Sequence, residues 1–245
     1  MAEEPGTLVK AQQGAVDHLL RVGIEGFGPF KSAQHVADDL LAQGLTRDEA
    51  VRSMIRTHVA AAGIQGFATN LGGLITLPVT LPANVAAAYL VQTHLIASIA
   101  AVHGHDLESD EVRTAILLCL LGNAGTEVVK KAGIKAGAKL TMGLIERIPA
   151  QLIREINKRV GFQLIAKYGT SKAGITLAKG VPLVGGVIGG TFDAVTTRAV
   201  GGFARRFFAT PPGAPQVVDG RVVEPEVLEG EIVGEIRYDG APERD

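Results

Sequence analysis

Polar side chains inside two apolar segments are the residues of this chain best suited to chemistry. Asn84, Gln92 and His94 lie in one such segment, and Asp193 lies in a second, glycine-rich one. Imidazole, amide and carboxylate groups in apolar surroundings can bind a polar ligand or transfer protons. These four are therefore our candidate ligand-binding residues. The competing interpretation is structural: His94, like His58, is a buried histidine with a hydrogen-bond partner, and Asp193 is a paired structural carboxylate.

No arrangement of residues predicts a catalytic or metal site. Ser98, His94 and Asp193 are the residue types of a hydrolase triad, but no G-x-S-x-G nucleophile turn accompanies them. The HGHD segment at 103–106 has imidazole and carboxylate groups that suit zinc, but no other closely spaced ligand set accompanies it. We interpret that segment as a turn in which Gly104 ends a helix.

A second glycine-rich segment, at 174–202, does not predict a nucleotide site either. Gly180 and Gly185 have the spacing that opens a phosphate-binding loop, but Gly186 and Val187 replace the residues that contact phosphate and magnesium. No cofactor is therefore predicted. The glycines fit a second interpretation better, as small-residue faces that let two helices approach closely, formed by Gly185 with Gly189 and by Gly186 with Gly190.

The charge distribution separates a basic body from an acidic tail. Residues 216–245 contain nine acidic side chains and three arginines, which leaves 21 basic and 16 acidic residues before them. The body therefore carries about +5 and the tail −6, although the net charge is −1. The single cysteine, Cys119, cannot form an internal disulfide, and the first residues lack the regions of a signal peptide. We expect a cytoplasmic protein.

One long stretch, from Thr57 to His105, contains no Asp, Glu, Lys or Arg. An unpaired charge is costly both in a protein core and in lipid, so the stretch is suited to either environment. Its residues 85–102 form an apolar run just long enough to span a membrane. The polar residues at 92–94 favour a helix buried in protein over one that crosses a bilayer. Pro78 and Pro82 should interrupt any longer helix, with Asn84 as the cap of the following one.

Local patterns elsewhere also predict helices. Thr46 precedes Glu49 by three residues, which is the spacing of a capping box, and apolar residues then recur at helical intervals. Apolar spacing predicts an earlier helix over about 32–43, and Ser109 begins another helix with two carboxylates in its first turn. Aromatic residues are scarce and glycine is abundant, which suits close packing of helices.

The segment 130–172 is strongly basic. It contains ten Lys and Arg residues against two Glu, and anionic lipid attracts such residues by about 1 kcal/mol each near its surface. A solvated helix surface is an equally good interpretation, and nucleic-acid binding is not predicted because few aromatic residues accompany the charge. Our candidates for contact with a membrane surface are Lys131, Lys135, Lys139, Arg154, Lys158 and Arg159.

The residues after Phe208 have a different character. A proline-rich linker, ATPPGAPQ, leads into a segment in which Asp219 and Gly220 separate two valine pairs, which is the signal of a two-residue hairpin. A hairpin of this size is marginal alone, so we expect a mostly disordered acidic tail. The predicted fold is mainly α, with one compact domain of closely packed, Gly- and Ala-rich helices at 1–210 and the linker and tail at 211–245.

Three sequence blocks resemble the EcsC family of bacterial proteins. They are GFATNLGGLITLPVTLPAN at 66–84, QTHLIASIAAVHGHDLESDEVRTAILLCLLG at 92–122, and VPLVGGVIGGTFDAVTTRAVGGFARRFF at 181–208. The resemblance implies a helical, cytoplasmic, membrane-associated protein, and the family's founding member is encoded beside an ABC transporter. It implies no established chemistry and no catalytic residues. His103 departs from the family pattern, which commonly has Tyr at that position.

These observations favour a non-enzymatic protein that associates peripherally with the inner face of the membrane, or that binds a lipid or acyl chain among its apolar helices. An integral membrane protein is a possible partner. Two alternatives remain open. The first is a lipid- or peptide-directed hydrolase with a site that shows no known motif, and the second is an oligomeric scaffold whose glycine faces meet in a homo-oligomer.

Overall fold

A computed structural model describes the backbone of residues 5–70, 77–134, 140–161, 163–164, 184–210, 212, 217–218 and 221–222. Side chains are described over 13–65, 86–134, 140–161, 163–164, 190–210 and 212. The side chains of Asn84, Lys135 and Lys139, and most of the predicted tail, lie outside these residues. The predictions made for them remain predictions.

The fold is mainly α, as predicted. The helices are α1 (Pro5–Glu25), α2 (Ala33–Ala42), α3 (Arg47–Asn70), α4 (Leu77–Val102), α5 (Asp110–Leu121), α6 (Asn123–Lys131), α7 (Met142–Ile145), α8 (150–161) and α9 (Val184–Phe207). After α9, β1 (Val217–Val218) and β2 (Arg221–Val222) pair antiparallel, with Val218 opposite Arg221. This register leaves two residues between the strands, which confirms the predicted hairpin.

Helix α4 lies at the centre of the core. It packs against α1, α2, α3, α5 and α9, and its residues 91–102 are buried on every side. A helix that is surrounded by others has no solvent-facing stripe, which explains why its sequence has no charged residue. The prediction of a helix buried in protein is confirmed. Among the described residues, no helix is both long and apolar enough to cross a bilayer.

Side-chain caps are present at three helix starts, and those of α3 and α5 were predicted. The amide of Thr46 donates to Glu49 Oε2 at 2.9 Å, and the amide of Glu49 approaches Thr46 Oγ1 at 3.4 Å, which forms the capping box of α3. Ser32 accepts from the amide of His35 at the start of α2. Ser109 accepts from the amide of Val112 at the start of α5.

The prediction for the start of α4 is wrong. The helix begins at Leu77 and runs through both Pro78 and Pro82, so Asn84 lies inside it and does not cap it. Pro78 occupies the first turn, where an amide has no partner within the helix and its absence costs nothing. Pro82 removes one further helical hydrogen bond, and the packing of α4 against its neighbours outweighs that local loss.

Helices α3 and α9 pack along each other with opposite directions. The start of α3 meets the end of α9, where Arg205 Nη2 donates to Asp48 Oδ1 at 2.5 Å. Near the other end, the Cβ position of Gly63 lies 3.7 Å from the carbonyl oxygen of Gly190. This contact agrees with the predicted close approach of a small-residue face, while the side-chain surroundings of 185–189 are outside the description.

Candidate functional site

His58 and His94 form a buried pair of imidazole rings. His58 lies on α3 and His94 on α4, and His58 Nε2 lies 2.8 Å from His94 Nδ1. The outer nitrogen of each ring faces a backbone carbonyl: His58 Nδ1 is 2.8 Å from Met54 O, and His94 Nε2 is 2.8 Å from Lys31 O. A continuous chain of three short contacts therefore links two helices to the turn that precedes α2.

That turn, at 26–31, is held in a tight conformation. Phe27 and Phe30 exchange two backbone hydrogen bonds, at 3.1 and 2.9 Å. Gly26 has φ +101°, and a Cβ atom there would lie 2.6 Å from the carbonyl oxygen of Lys31, so only glycine fits. The turn thereby directs the Lys31 carbonyl at His94.

The surroundings of the pair are apolar. The Phe30 ring stacks on the His58 ring with centroids 5.1 Å apart, and the Phe27 ring meets His94 edge-on at 6.0 Å. Burial and, to a smaller extent, the neighbouring His94 lower the pKa of His58 to about 4, while the hydrogen bond to the Met54 carbonyl acts in the opposite direction. Burial also lowers the pKa of His94. Both rings are buried histidines with hydrogen-bond partners, in agreement with the structural interpretation of the sequence.

Three of the four candidate ligand-binding residues, Gln92, His94 and Asp193, have described side chains, and all three are buried. His94 contacts His58 and the turn, whereas Gln92 Nε2 points toward α9 and lies 3.5 Å from Thr196 Oγ1. Asp193 is buried on α9. The two cavities described below are lined by other residues, and the side chain of Asn84 is not described.

The HGHD segment forms the predicted turn. Gly104, two residues after the last residue of α4, has φ +86°, a conformation that favours glycine. His105 is buried beside the Phe208 ring, with Nε2 3.4 Å from the Phe208 carbonyl oxygen. Within the part of the chain that the structure describes, no group of three His, Cys, Asp or Glu side chains is arranged to hold a metal ion.

The predicted basic residues that can be placed lie on or near α8. Arg154 and Lys158 line a cavity of about 450 Å³, to which Asp17 and Asp110 contribute carboxylates. Burial raises the pKa of Asp17, while the charge of Arg113 acts against that increase. Arg159 donates to Glu155 Oε1 at 2.9 Å and to the carbonyl oxygen of Lys131 at 3.0 Å. Lys131 is exposed at the end of α6. The cavity is also lined by Arg21 and Arg113, so the local carboxylates offset only part of the positive charge here.

A larger basic groove lies between α3 and α9, and the sequence analysis missed it. Its volume is about 1220 Å³, and Glu49 is the acidic residue among its described lining residues. A nearby carboxylate, Asp48, bridges two of the arginines, accepting from Arg52 at 2.6 Å and from Arg205 at 2.5 Å. We call this feature the arginine groove, and its five arginines are Arg52, Arg56, Arg198, Arg205 and Arg206.

Helical spacing is the signal that could have revealed half of this groove. Arg198, Gly202, Arg205 and Arg206 follow one another at intervals of four, three and one residues, so they share one face of α9. Arg52 and Arg56 are four residues apart and share a face of α3 in the same way. The sequence does not show that these two faces meet.

Two exposed aliphatic residues extend the same side of the α3–α9 pair. Ile64 is 71% exposed and Val195 is 60% exposed. Ile64 follows the groove residue Ser53 by eleven residues, about three turns, and Val195 precedes the groove residue Gly202 by seven, about two turns. Both therefore face the same way as the groove. We call the arginine groove together with Ile64 and Val195 the α3–α9 face.

Comparison with known proteins assigns the chain to a family. The model of the EcsC protein family matches residues 12–210, which include every helix from α2 to α9 and most of α1. No curated protein and no solved structure matches the chain. The match covers far more than half of the sequence and ends shortly after α9. The chain therefore belongs to the EcsC protein family.

Proposed function

We propose that this protein associates peripherally with anionic membrane surfaces through the α3–α9 face. The observation that carries the proposal is the combination, on one side of two packed helices, of five arginines and two exposed aliphatic side chains. Binding of a helical surface to a membrane increases both with the apolar area it buries and with its attraction to anionic lipid. The α3–α9 face offers both contributions.

The arginines suit the phosphate groups of lipids. Guanidinium groups can bind phosphate with two parallel hydrogen bonds, which gives them an advantage over lysine at such sites. The groove has five arginines against Glu49 as the acidic lining residue, and each exposed basic residue near an anionic bilayer contributes about 1 kcal/mol of attraction. Several such residues on one face are sufficient for reversible binding.

The buried histidines give less support to the hydrolase alternative. A general base needs a ring nitrogen that faces the substrate. In the described structure the nitrogens of His94 face His58 and the Lys31 carbonyl, and those of His58 face His94 and the Met54 carbonyl. For the scaffold alternative, native mass spectrometry provides a direct test, because a lipid-free oligomer is its expected result.

Sedimentation with lipid vesicles tests the proposal. The wild-type chain should bind vesicles that contain phosphatidylglycerol more tightly than vesicles of phosphatidylcholine alone. The triple variant Arg56→Gln, Arg198→Gln, Arg206→Gln should lower the affinity about a hundredfold, since it removes about 3 kcal/mol of attraction. Equal binding of the wild-type chain to both kinds of vesicle would contradict the proposal.

A matched variant tests whether vesicle binding depends on the α3–α9 face or on the net positive charge of the protein. Lys131→Gln, Arg154→Gln, Lys158→Gln removes the same charge from the basic surface around α8. It should change the affinity much less than the groove variant does. An equal or larger loss in the α8 variant would assign membrane contact to the residues first predicted from sequence.

The aliphatic residues require a different readout. Ile64→Ser with Val195→Ser should weaken binding by a factor that persists at high salt, because burial of apolar area is not screened by ions. The effect of the arginine variant should instead shrink as salt is added. If both variants respond to salt in the same way, the two exposed side chains do not enter the bilayer interface.

A further inference from the structure

The contacts of the His58–His94 pair require more protons than two neutral rings carry. Each of the three contacts in the chain from Met54 O to Lys31 O is 2.8 Å long, which is the length of a hydrogen bond and requires one proton per contact. A carbonyl oxygen only accepts, so both outer nitrogens must be N–H donors. A neutral imidazole has one N–H group, so two neutral rings supply two protons for three contacts.

No choice of tautomers removes this shortage. If both outer nitrogens carry protons, the lone pairs of His58 Nε2 and His94 Nδ1 face each other at 2.8 Å. If His94 Nδ1 is protonated instead, its bare Nε2 faces the Lys31 oxygen at 2.8 Å. Protonation of His58 Nε2 likewise leaves a bare nitrogen against Met54 O. One additional proton completes all three hydrogen bonds and gives the pair a single positive charge.

The surroundings favour one extra charge and oppose a second. Two carbonyl oxygens face the ends of the pair, and the Phe30 ring stacks on His58, where its face can attract a cation. A second proton would place two positive charges on adjacent buried rings and would leave two N–H groups facing each other.

Among the residues whose side chains are described, the other ionisable groups on the surrounding elements do not supply a competing cation at the pair. The Lys31 ammonium points to the surface, 3.1 Å from Asp39 Oδ2 and 2.7 Å from His35 Nε2. Asp193 is buried, and as an anion it would favour proton uptake. Further described groups on these helices are exposed, among them Glu25 on α1, His35 and Asp39 on α2, Arg52 and Arg56 on α3, and Arg198 on α9.

We propose that the His58–His94 pair is a binding site for one proton, shared between the two rings, and that the bound proton fastens the 26–31 turn to α3 and α4. The inference is independent of the membrane proposal. Met54 O belongs to the body of α3, whereas Lys31 O belongs to a turn. In the neutral pair, which lacks one proton, we therefore expect the hydrogen bond between His94 and Lys31 O to be the one that is lost. Acidification closes that contact.

The pH range follows from two opposing effects. Burial lowers the pKa of His58 to about 4 from 6.5, whereas completion of the third hydrogen bond favours the protonated form. Proton uptake should therefore occur between pH 6.5 and about 4. One proton should enter, and both rings should report it at the same midpoint.

Nuclear magnetic resonance of the full chain with ¹⁵N-labelled histidine tests this directly. The ring nitrogens of His58 and His94, assigned with His58→Gln and His94→Gln, should shift together at one midpoint as one proton is shared. Two separate midpoints would overturn the proposal. So would rings that stay neutral throughout the range, or a pair in which both rings become fully protonated.

Hydrogen exchange tests the effect on the turn. After correction for the intrinsic pH dependence, exchange of the Phe27 and Phe30 amides should slow about tenfold on proton uptake, which corresponds to about 1.4 kcal/mol. The matched control is His35→Gln, which removes the exposed histidine beside Lys31 and should leave the response intact. A response that His35→Gln abolishes would overturn the proposal. A response that His94→Gln retains would overturn it as well.

Discussion

Two basic surfaces of this protein differ in how their charge is arranged. On and around α8, Arg159 donates to Glu155, and the cavity beside Arg154 and Lys158 is also lined by two carboxylates, Asp17 and Asp110, and by two further arginines. In the arginine groove, five arginines meet Glu49, with Asp48 close by. Among the described residues, the cavity beside α8 therefore has four basic and two acidic lining residues, whereas the arginine groove has five basic and one acidic. Net charge along a segment is a poor guide to the charge that a folded surface presents.

The groove escapes sequence analysis because two distant helices assemble it. Arg52 and Arg56 lie on α3, and the other three arginines lie on α9, more than a hundred residues later. Either set alone is an ordinary exposed helix face. Packing of α3 against α9 converts the two faces into one groove, so its formation depends on the spacing between these helices.

The largest expected effect comes from a change to that spacing. A Cβ atom at Gly201 would lie 2.9 Å from Ile55 Cγ1 on α3 and 3.0 Å from Leu95 Cδ2 on α4. Gly201→Val should therefore force α9 away from both helices and lower the free energy of unfolding by about 1–3 kcal/mol. Chemical denaturation measures this change, and weaker vesicle binding should accompany it.

The adjacent glycine provides the control. A Cβ atom at Gly202 would approach only the flexible end of Arg206, at 3.9 Å. Gly202→Ala should be tolerated and should stabilise the helix by up to about 1 kcal/mol, as alanine generally does relative to glycine. If the two variants have the same stability, tight packing at Gly201 does not set the spacing of α3 and α9.

The parts of the fold that the sequence predicted correctly depend on short-range patterns. The capping box joins residues three apart, and the hairpin pairs Val217–Val218 with Arg221–Val222 across a two-residue loop. The start of α4 was mispredicted because local proline rules do not include the packing of a central helix. Local chemistry thus located the starts of α2, α3 and α5 but not the start of α4, the most buried helix.

For the candidate sites, too, local sequence patterns do not show which residues meet through helix packing. The sequence correctly indicated that His58 and His94 are buried histidines with hydrogen-bond partners. It did not show that each is the partner of the other, because they lie on different helices and meet only through packing of α3 on α4. The carbonyl groups of Met54 and Lys31, which determine the proton count, have no side-chain signature in any sequence.

A single uncharged replacement can sharpen the contrast between the two basic surfaces. Asp48 accepts from both Arg52 and Arg205, so Asp48→Asn removes a negative charge from the groove and releases both guanidinium groups. Affinity for phosphatidylglycerol vesicles should rise about fivefold at low salt, as expected for about 1 kcal/mol. The gain should fade as salt screens the exposed charges.

Asp38→Asn provides the matched control for that gain. Asp38 is exposed on α2, where it accepts a hydrogen bond from Gln34. The replacement makes the same change in net charge away from the groove and should leave vesicle binding nearly unchanged. An equal gain in both variants would show that net charge, and not the arginine groove, governs the attraction.

The smallest expected effect concerns Glu49, which both caps α3 and lies in the groove. The hydrogen bond from the Thr46 hydroxyl, and then that from the Thr46 amide, lower the pKa of this carboxyl below 4.5. A depressed pKa means that the ionised form stabilises the fold above pH 4.5 and that this contribution is lost as the pH falls through the folded-state value.

Glu49→Gln should therefore be slightly less stable than the wild type at pH 7, and the two stabilities should converge in acid. The same variant should bind anionic vesicles more tightly at pH 7, because it removes the acidic group of the groove. A difference in stability that persists unchanged below pH 3 would assign the effect to packing rather than to the charge of Glu49.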